Sequence, residues 1–250
     1  MNKENRMKVW IQARSNYLPA DRDFFWAMCG FEELGAEIRF FHTPAEMRQI
    51  KEPSDILVGY VGTVQMHLQD MGFPIPDINY PIQLRPYLGR RIWKSTINTI
   101  NHHPEQWPVF VKSVADKEIT GVLVRSPKDL IGCGNWARDI PVWCSEPVHF
   151  ETEWRCFVRY GKILDVRRYR GTWEQMPDSD TIKRAVQDYE NAPAGCSLDF
   201  GLTNDGRTLL IEVNDGYSLG CYGLFYIDYA KLLAARWAEL TGTEDEYKNF

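Results

Sequence analysis

The alternation of apolar and polar segments in the first ninety residues predicts strands and helices in turn. Three short apolar segments predict strands, namely 7–12, 36–41 and 55–60. Asp21 is a predicted N-cap of a helix that Gly35 ends, and a short helix is expected near 62–71. This strand–helix–strand rhythm indicates a parallel α/β sheet.

Four prolines between residues 72 and 89 predict an extended segment that separates this sheet from the rest of the chain. The later pattern predicts a helix at 90–100, strands at 107–114 and 121–126, a strand-like segment at 139–150 and a helix at 226–240. Two hairpins are expected between the last strand-like segment and that helix.

The clearer hairpin lies at 197–214, where Asp205-Gly206 separates two apolar runs. If the turn is centred there, the apolar pairs on one face are Leu202/Leu209, Phe200/Ile211 and Leu198/Val213. The other face then has Asp199 opposite Glu212, and Ser197 opposite Asn214.

Two opposed carboxylates destabilise a hairpin, because their Cβ atoms lie only ~4.5–5.5 Å apart. A cation between Asp199 and Glu212 would remove the repulsion, and carboxylate and amide oxygens are ligands that Mg²⁺ prefers. A solvated edge hairpin, or one proton shared by the two acids, explains the pattern equally well from these residues alone.

Basic residues precede this hairpin. Lys112 lies between apolar neighbours in a predicted strand, which is costly unless the lysine meets an anion or reaches solvent at a sheet edge. The polar loop that follows contains Lys117 and closes on Gly121, a composition that suits a cover over phosphate.

The second hairpin, at 153–171, is predicted to turn at Tyr160-Gly161. In this register Glu153 faces Arg168, and Arg155 lies on the same face. An acid among arginines suits the binding of phosphate or carboxylate groups, although a surface ion-pair ladder accounts for it as well.

Composition narrows the function classes. The chain has 250 residues, of which 44% are hydrophobic and 25% charged, enough for a full core. The net charge of −5 without a polybasic run disfavours nucleic-acid binding. Six scattered cysteines without metal-ligand spacing predict reduced thiols in a cytoplasmic protein. No segment approaches the ~18 apolar residues of a membrane span, so no membrane association is expected.

The order of these motifs resembles that of the ATP-grasp superfamily of ligases, which includes D-alanine–D-alanine ligase and glutathione synthetase. The resemblance rests on "VFVKS", "VWCSEPV", "EWRCFVRYGKILDVRRYRG" and "LDFGLTNDGRTLLIEVNDG" and covers roughly residues 90–225. The "ERF" and "GGxG" sequences of many members are missing. The resemblance implies an N-terminal parallel α/β domain at 1–88, followed by a compact two-subdomain ATP-grasp fold at 89–142 and 143–250.

The resemblance also implies roles for single residues, with Mg²⁺-ATP between the two subdomains. The implied nucleotide-binding residues are Lys94, Lys112, Lys117, the hinge Trp143, Cys144, Ser145 and Glu146, and Glu153. Asp199, Glu212 and Asn214 would hold one or two Mg²⁺ ions. Arg155 and Arg168 would neutralise the γ-phosphate and the acyl phosphate formed from it. The substrate contacts would be Tyr217, Ser218 and Tyr222.

The implied activity is that of an ATP-dependent carboxylate–amine ligase acting on a small molecule, an amino acid or a peptide. No covalent enzyme nucleophile is required, and the sequence has no recognisable Ser-His or Cys-His signature. A kinase or other phosphotransferase would use the same residues, and a non-catalytic nucleotide-binding module is a third interpretation. A polynucleotide ligase is disfavoured, because no K-x-D-G occurs and the chain is acidic.

Overall fold

The computed structural model describes residues 6–114, 119–134 and 138–249. The chain divides into two compact units. The large unit consists of Met1–Tyr87 with Glu151–Phe250, and the small unit of Leu88–Phe150. The three-part division expected from the sequence stays a prediction, and its boundary after residue 142 falls inside a strand of the small unit.

A parallel sheet begins the large unit, as predicted. Its strands are β1 (Lys8–Gln12), β2 (Glu37–Phe41) and β3 (Ile56–Val58), in the order β2-β1-β3. The helices beside it are α1 (Arg22–Glu33), α2 (Pro44–Met47) and α3 (Val61–Asp70). Asp21 caps α1 by accepting a hydrogen bond from the Asp23 N–H, and Gly35 follows the helix with a φ of +84°. Both predicted helix boundaries are confirmed.

The small unit contains a four-stranded antiparallel sheet. Its elements are β4 (Ile92–Thr96), α4 (Ile97–His102), β5 (Val109–Ser113), β6 (Val122–Val124) and β7 (Pro141–Ser145), with strand order β4-β7-β5-β6. The predicted helix at 90–100 is therefore wrong in its first half. Ile92–Thr96 pairs with β7, and Thr96 caps the helix that follows. This pairing spans almost fifty residues of chain and overrides the local pattern.

A second antiparallel sheet belongs to the later part of the chain. Its elements are β8 (Phe150–Arg159), β9 (Lys162–Arg170), α5 (Ser179–Asp188), β10 (Gly195–Thr203), β11 (Thr208–Asp215) and α6 (Tyr226–Thr241), with strand order β11-β10-β8-β9. Both hairpins and the last helix are confirmed. Within the described residues, no helix has the length and apolar character needed to cross a bilayer.

The core of the large unit joins both halves of the chain. Helices α1 and α6 pack so closely that a Cβ on Gly30 would lie 2.2 Å from the carbonyl oxygen of Tyr226. The segment after β11 contributes Tyr217, Leu219, Cys221 and Leu224 to the same buried cluster as Val9, Phe31 and Trp237. The segment that leaves β11 is thus anchored in the core beneath the parallel sheet.

Candidate functional site

The two predicted opposed carboxylates are neighbours in the structure. In the β10/β11 ladder Asp199 pairs with Glu212, and Ser197 pairs with Asn214. The side chain of Asn214 also donates a hydrogen bond to Asp199, from Nδ2 to Oδ2 at 3.2 Å. The acid, acid and amide expected on one face of this hairpin are therefore brought together.

The half of the hairpin nearer the turn differs from the prediction. A β-bulge after Asp199 shifts the register by one residue, so the pairs there are Phe200/Leu210, Gly201/Leu209 and Leu202/Thr208. The predicted pairs Phe200/Ile211 and Leu202/Leu209 are wrong. The bulge follows Asp199 directly, and such irregularities often occur beside functional groups.

A guanidinium group neutralises one of the two acids. Arg155 on β8 donates to Asp199 twice, from Nε to Oδ1 and from Nη2 to Oδ2, both at 2.8 Å. Arg155 is 6% exposed and Asp199 is 1% exposed. Burial raises the pKa of the Asp199 carboxyl, and the Arg155 guanidinium opposes this rise. Such a bidentate pair is among the strongest charge-assisted contacts in proteins.

Two tyrosine rings lie beside this ion pair. Tyr169 and Tyr222 stack with their centroids 5.1 Å apart, and the Arg155 Cζ is 4.9 Å from the Tyr222 centroid. Arg155 also donates from Nη1 to the Gly220 carbonyl at 3.3 Å. Burial raises the pKa of both tyrosines, so their hydroxyl groups stay protonated at neutral pH. The guanidinium is thus enclosed by an acid, a carbonyl and two aromatic faces.

Arg168 does not join Arg155. Two bulges in the β8/β9 ladder pair Glu153 with Arg170, and Trp154 with Arg168. The predicted pairing of Glu153 with Arg168 is therefore wrong, and Glu153 forms its ion pair with Arg170. Arg168 lies on the opposite face from Arg155, is exposed, and donates to the Gly171 carbonyl.

The small unit brings both predicted lysines into one row. Lys94 on β4 and Lys112 on β5 each pair with Trp143 on β7, so the three side chains share a sheet face. The Lys94 ammonium is 4.5 Å from the centroid of the Trp143 ring. Cys144 is buried in the core on the other face, and Lys117 lies outside the described residues.

The remaining hinge residues contact the start of β4. Glu146 donates its backbone N–H to the Arg91 carbonyl, and its carboxylate accepts from the Arg91 N–H at 2.9 Å. Ser145 Oγ accepts from Arg90 Nε at 3.0 Å and donates to the Glu146 carbonyl. These contacts extend the β4/β7 ladder by one residue.

The predicted substrate residues divide into two kinds. Tyr217 is 5% exposed and its hydroxyl accepts from Gln65 Nε2 at 2.7 Å. Ser218 Oγ donates to the Gly59 carbonyl at 2.8 Å. Tyr222 is 41% exposed above Arg155. Tyr217 and Ser218 thus fasten the segment to the parallel sheet, and Tyr222 is the one of the three that offers its ring to solvent.

Sequence reasoning missed two residues of this site. Tyr169 carried a signal, because it lies two positions from Arg167, which pairs with Arg155, but only the true register reveals it. Asp23 carried none beyond its place in the first turn of α1. Its carboxylate contacts Cys221, a residue 198 positions away.

The donor groups fit a divalent cation with phosphate. Among the described residues no group of three His, Cys, Asp or Glu side chains meets, so a metal here would rest on Asp199, Glu212 and the Asn214 amide. A carboxylate has about four lone-pair sites, and Arg155 uses two of those on Asp199. Two acids and one guanidinium leave one negative charge, which suits Mg²⁺ with water and phosphate completing its shell.

Comparisons with known proteins agree with this fold and donor set. Residues 87–232 match the model of a family described as an "ATP-grasp domain", the second family of its clade. The match spans more than half of the chain, and the protein belongs to this ATP-grasp family. A comparison with curated proteins gave no match.

Solved structures of low sequence identity share the fold. N5-carboxyaminoimidazole synthetase from Staphylococcus aureus is 10% identical with a TM-score of 0.60, covering 96% of this chain and 79% of that one. L-amino acid ligase from Bacillus licheniformis is 13% identical with a TM-score of 0.56, covering 100% and 79%. D-alanine–D-alanine ligase from Bacillus anthracis, complexed with ATP, is 15% identical with a TM-score of 0.53, covering 96% and 99%. Family membership supports an ATP-dependent ligase in general terms.

Proposed function

We propose that the protein is an ADP-forming carboxylate–amine ligase that makes an amide or peptide bond on a small-molecule, amino-acid or peptide substrate. The observation that carries the proposal is the meeting of Asp199, Glu212 and Asn214 on one face of the β10/β11 hairpin. These three side chains would hold one or two Mg²⁺ ions, which would draw charge from the phosphates of ATP.

The nucleotide would engage the lysine face of the small unit. Lys112 lies in a strand whose neighbours Val111 and Ser113 are buried, and Lys94 lies in the same cross-strand row. Two ammonium groups on one face suit the charge of a polyphosphate. Trp143 between them offers an indole ring of the kind against which a base can stack.

The reaction would proceed in two displacements. A substrate carboxylate oxygen attacks the γ-phosphorus, a P–O bond forms, and the bond to the β–γ bridging oxygen breaks to release ADP. A neutral amine then attacks the acyl carbon, the C–O bond to phosphate breaks, and the amine loses a proton as the amide forms. The protein contributes position and charge rather than a covalent nucleophile.

The proposal gives Arg155 a different role from neutralising phosphate. Because its guanidinium is bonded to both oxygens of Asp199, Arg155 would orient that carboxylate toward Glu212 and Asn214. Tyr222 would contact the acceptor. We place the reaction in the cytoplasm, where ATP and Mg²⁺ are present and thiols stay reduced.

The test is an assay with Mg²⁺ and ATP against a library of amino acids and short peptides, read by mass spectrometry for new amide bonds and by ADP release. We expect an amide product that requires both a carboxylate and an amine. Glu212→Gln, Asn214→Ala and Lys112→Ala should each abolish it, and Glu33→Gln, an exposed acid on α1, should not. ADP formed with a carboxylate or hydroxyl acceptor alone would favour a kinase, and no ADP with any acceptor would favour a binding module.

A further inference from the structure

The turn that carries Tyr222 has an uncommon backbone. Cys221 and Leu224 form a hydrogen-bonded turn, with the Leu224 N–H donating to the Cys221 carbonyl at 2.8 Å. Its two central residues lie in the left-handed region, with φ of +43° for Tyr222 and +85° for Gly223. Glycine accepts this conformation readily, but a tyrosine does so at a cost on the order of 1 kcal/mol.

Both ends of this turn are bonded to helix α1. At the first end, the Asp23 carboxylate accepts from the Cys221 N–H at 3.3 Å and from its thiol at 3.0 Å. At the other end, Trp26 Nε1 donates to the Leu224 carbonyl at 2.7 Å. Strained backbone persists only where the surroundings hold it, and these α1 contacts provide that hold.

The fixed turn meets the ion pair of the site. Gly220, directly before the turn, accepts a hydrogen bond from Arg155, and the Tyr222 ring lies over the same guanidinium. Gly220 has no room for movement toward α1, since a Cβ there would lie 3.4 Å from the Asp23 carboxylate. A continuous set of contacts therefore runs from Asp23 through Cys221 and Gly220 to Arg155.

We propose that Asp23 is a positioning residue, which together with Trp26 holds the strained 221–224 turn so that Tyr222 forms one wall of the acceptor site. The proposal rests on the function proposed above in assigning the acceptor to this wall. Asp23 itself touches no substrate, and acts through Cys221.

The turn can be followed without any ligand, by the rate at which iodoacetamide labels Cys221, resolved by peptide mass spectrometry. Cys221 is 5% exposed, and its burial together with the Asp23 carboxylate raises its thiol pKa to about 11. Asp23→Asn removes that charge and loosens the turn. We expect labelling about tenfold faster, the change that one unit of thiol pKa produces. The matched control Glu33→Gln should label at the wild-type rate.

A double-variant comparison separates positioning from general packing. In Tyr222→Gly both central residues are glycines and the turn needs no external hold, so adding Asp23→Asn should change the labelling rate by less than about twofold. If Asp23→Asn accelerates labelling equally in both backgrounds, or in neither, the proposal is overturned. Should Asp23→Asn fail to fold, Trp26→Phe keeps a ring but loses the bond to Leu224, and the same comparison decides.

Kinetics then link the turn to the acceptor. Asp23→Asn should raise the acceptor KM and leave the dissociation constant of ATP unchanged, whereas an unchanged acceptor KM with a loosened turn would remove Tyr222 from the acceptor site and overturn the proposal. If no acceptor gives product in the wild type, the proposed function fails, and the labelling comparison still decides whether Asp23 holds the turn.

Discussion

Arg155 and Asp199 form a bidentate ion pair inside the antiparallel sheet of the large unit, with both nitrogen–oxygen distances at 2.8 Å. The pair joins β8 to β10, strands that are adjacent in the sheet and separated by a hairpin and a helix in the chain. It changes the chemistry expected of both residues. The arginine orients a carboxylate, and the carboxylate keeps a single free edge toward Glu212 and Asn214.

Removing Arg155 should destabilise the fold as well as the activity. Arg155→Met leaves the buried Asp199 carboxylate without its counter-ion, and we expect a loss of about 3–5 kcal/mol in the free energy of unfolding, measured by urea denaturation. The double variant Arg155→Met with Asp199→Leu should recover most of this loss, because no charge is then left buried. A cost below ~1 kcal/mol with turnover abolished would instead return Arg155 to a role on phosphate.

Glu212→Gln should act in the opposite direction on stability. It removes a like charge directly across the ladder from Asp199, so without metal the variant should be more stable than the wild type by roughly 0.2–1 kcal/mol. Asn214→Ala serves as the contrast, since it removes a hydrogen bond to Asp199 and should destabilise. Urea unfolding in a chelator checks both signs, and a destabilised Glu212→Gln protein would disagree with unrelieved repulsion between the acids.

Lys112→Met should weaken ATP binding about tenfold, equivalent to ~1.4 kcal/mol, since it removes one of two ammonium groups on the lysine face. Lys128→Met, at an exposed lysine of the same unit, is the matched control. Isothermal titration calorimetry gives the affinities, and the fluorescence of Trp143, next to Lys112 in the ladder, reports binding on that face. Equal affinities for the two variants would argue against this lysine.

His67 should make stability depend on pH. The ring is 1% exposed, stacks on Trp237, and has no hydrogen-bond partner at either nitrogen among the described residues. Burial lowers its pKa, so the unfolded chain binds the proton more tightly than the folded one.

The contribution is therefore constant above the unfolded pKa of about 6.5, and stability is lost as the pH falls below that value, by up to ~1.4 kcal/mol for each unit of pKa depression. His67→Phe should flatten the slope of unfolding free energy between about pH 6.5 and 5. A slope as steep as in the wild type would assign the titration to another group.

Several features of this site followed from the sequence, because they depend on local rules. The Asp-Gly turn and the alternation of side chains gave Asp199/Glu212 and Ser197/Asn214 their pairing. The bulge escaped prediction, since Ile211 is apolar and suits either register. The N-cap Asp21 is equally local, and it was found where expected.

Features that depend on sheet order could not be predicted in this way. Nothing in the local pattern puts β8 beside β10, so the bond between Arg155 and Asp199 was invisible, and two bulges reversed the face of Arg168. The β4/β7 pairing turned a predicted helix into a strand and, in doing so, aligned Lys94 with Lys112.

The most direct measurement is a titration of the protein with Mn²⁺ in place of Mg²⁺, with a non-hydrolysable ATP analogue, followed by the electron paramagnetic resonance signal of free Mn²⁺. We predict binding to the wild type that weakens at least about tenfold in Glu212→Gln, because one anionic ligand is lost. Equal Mn²⁺ binding by the wild type and Glu212→Gln would contradict the assignment of the metal to the paired acids of β10 and β11.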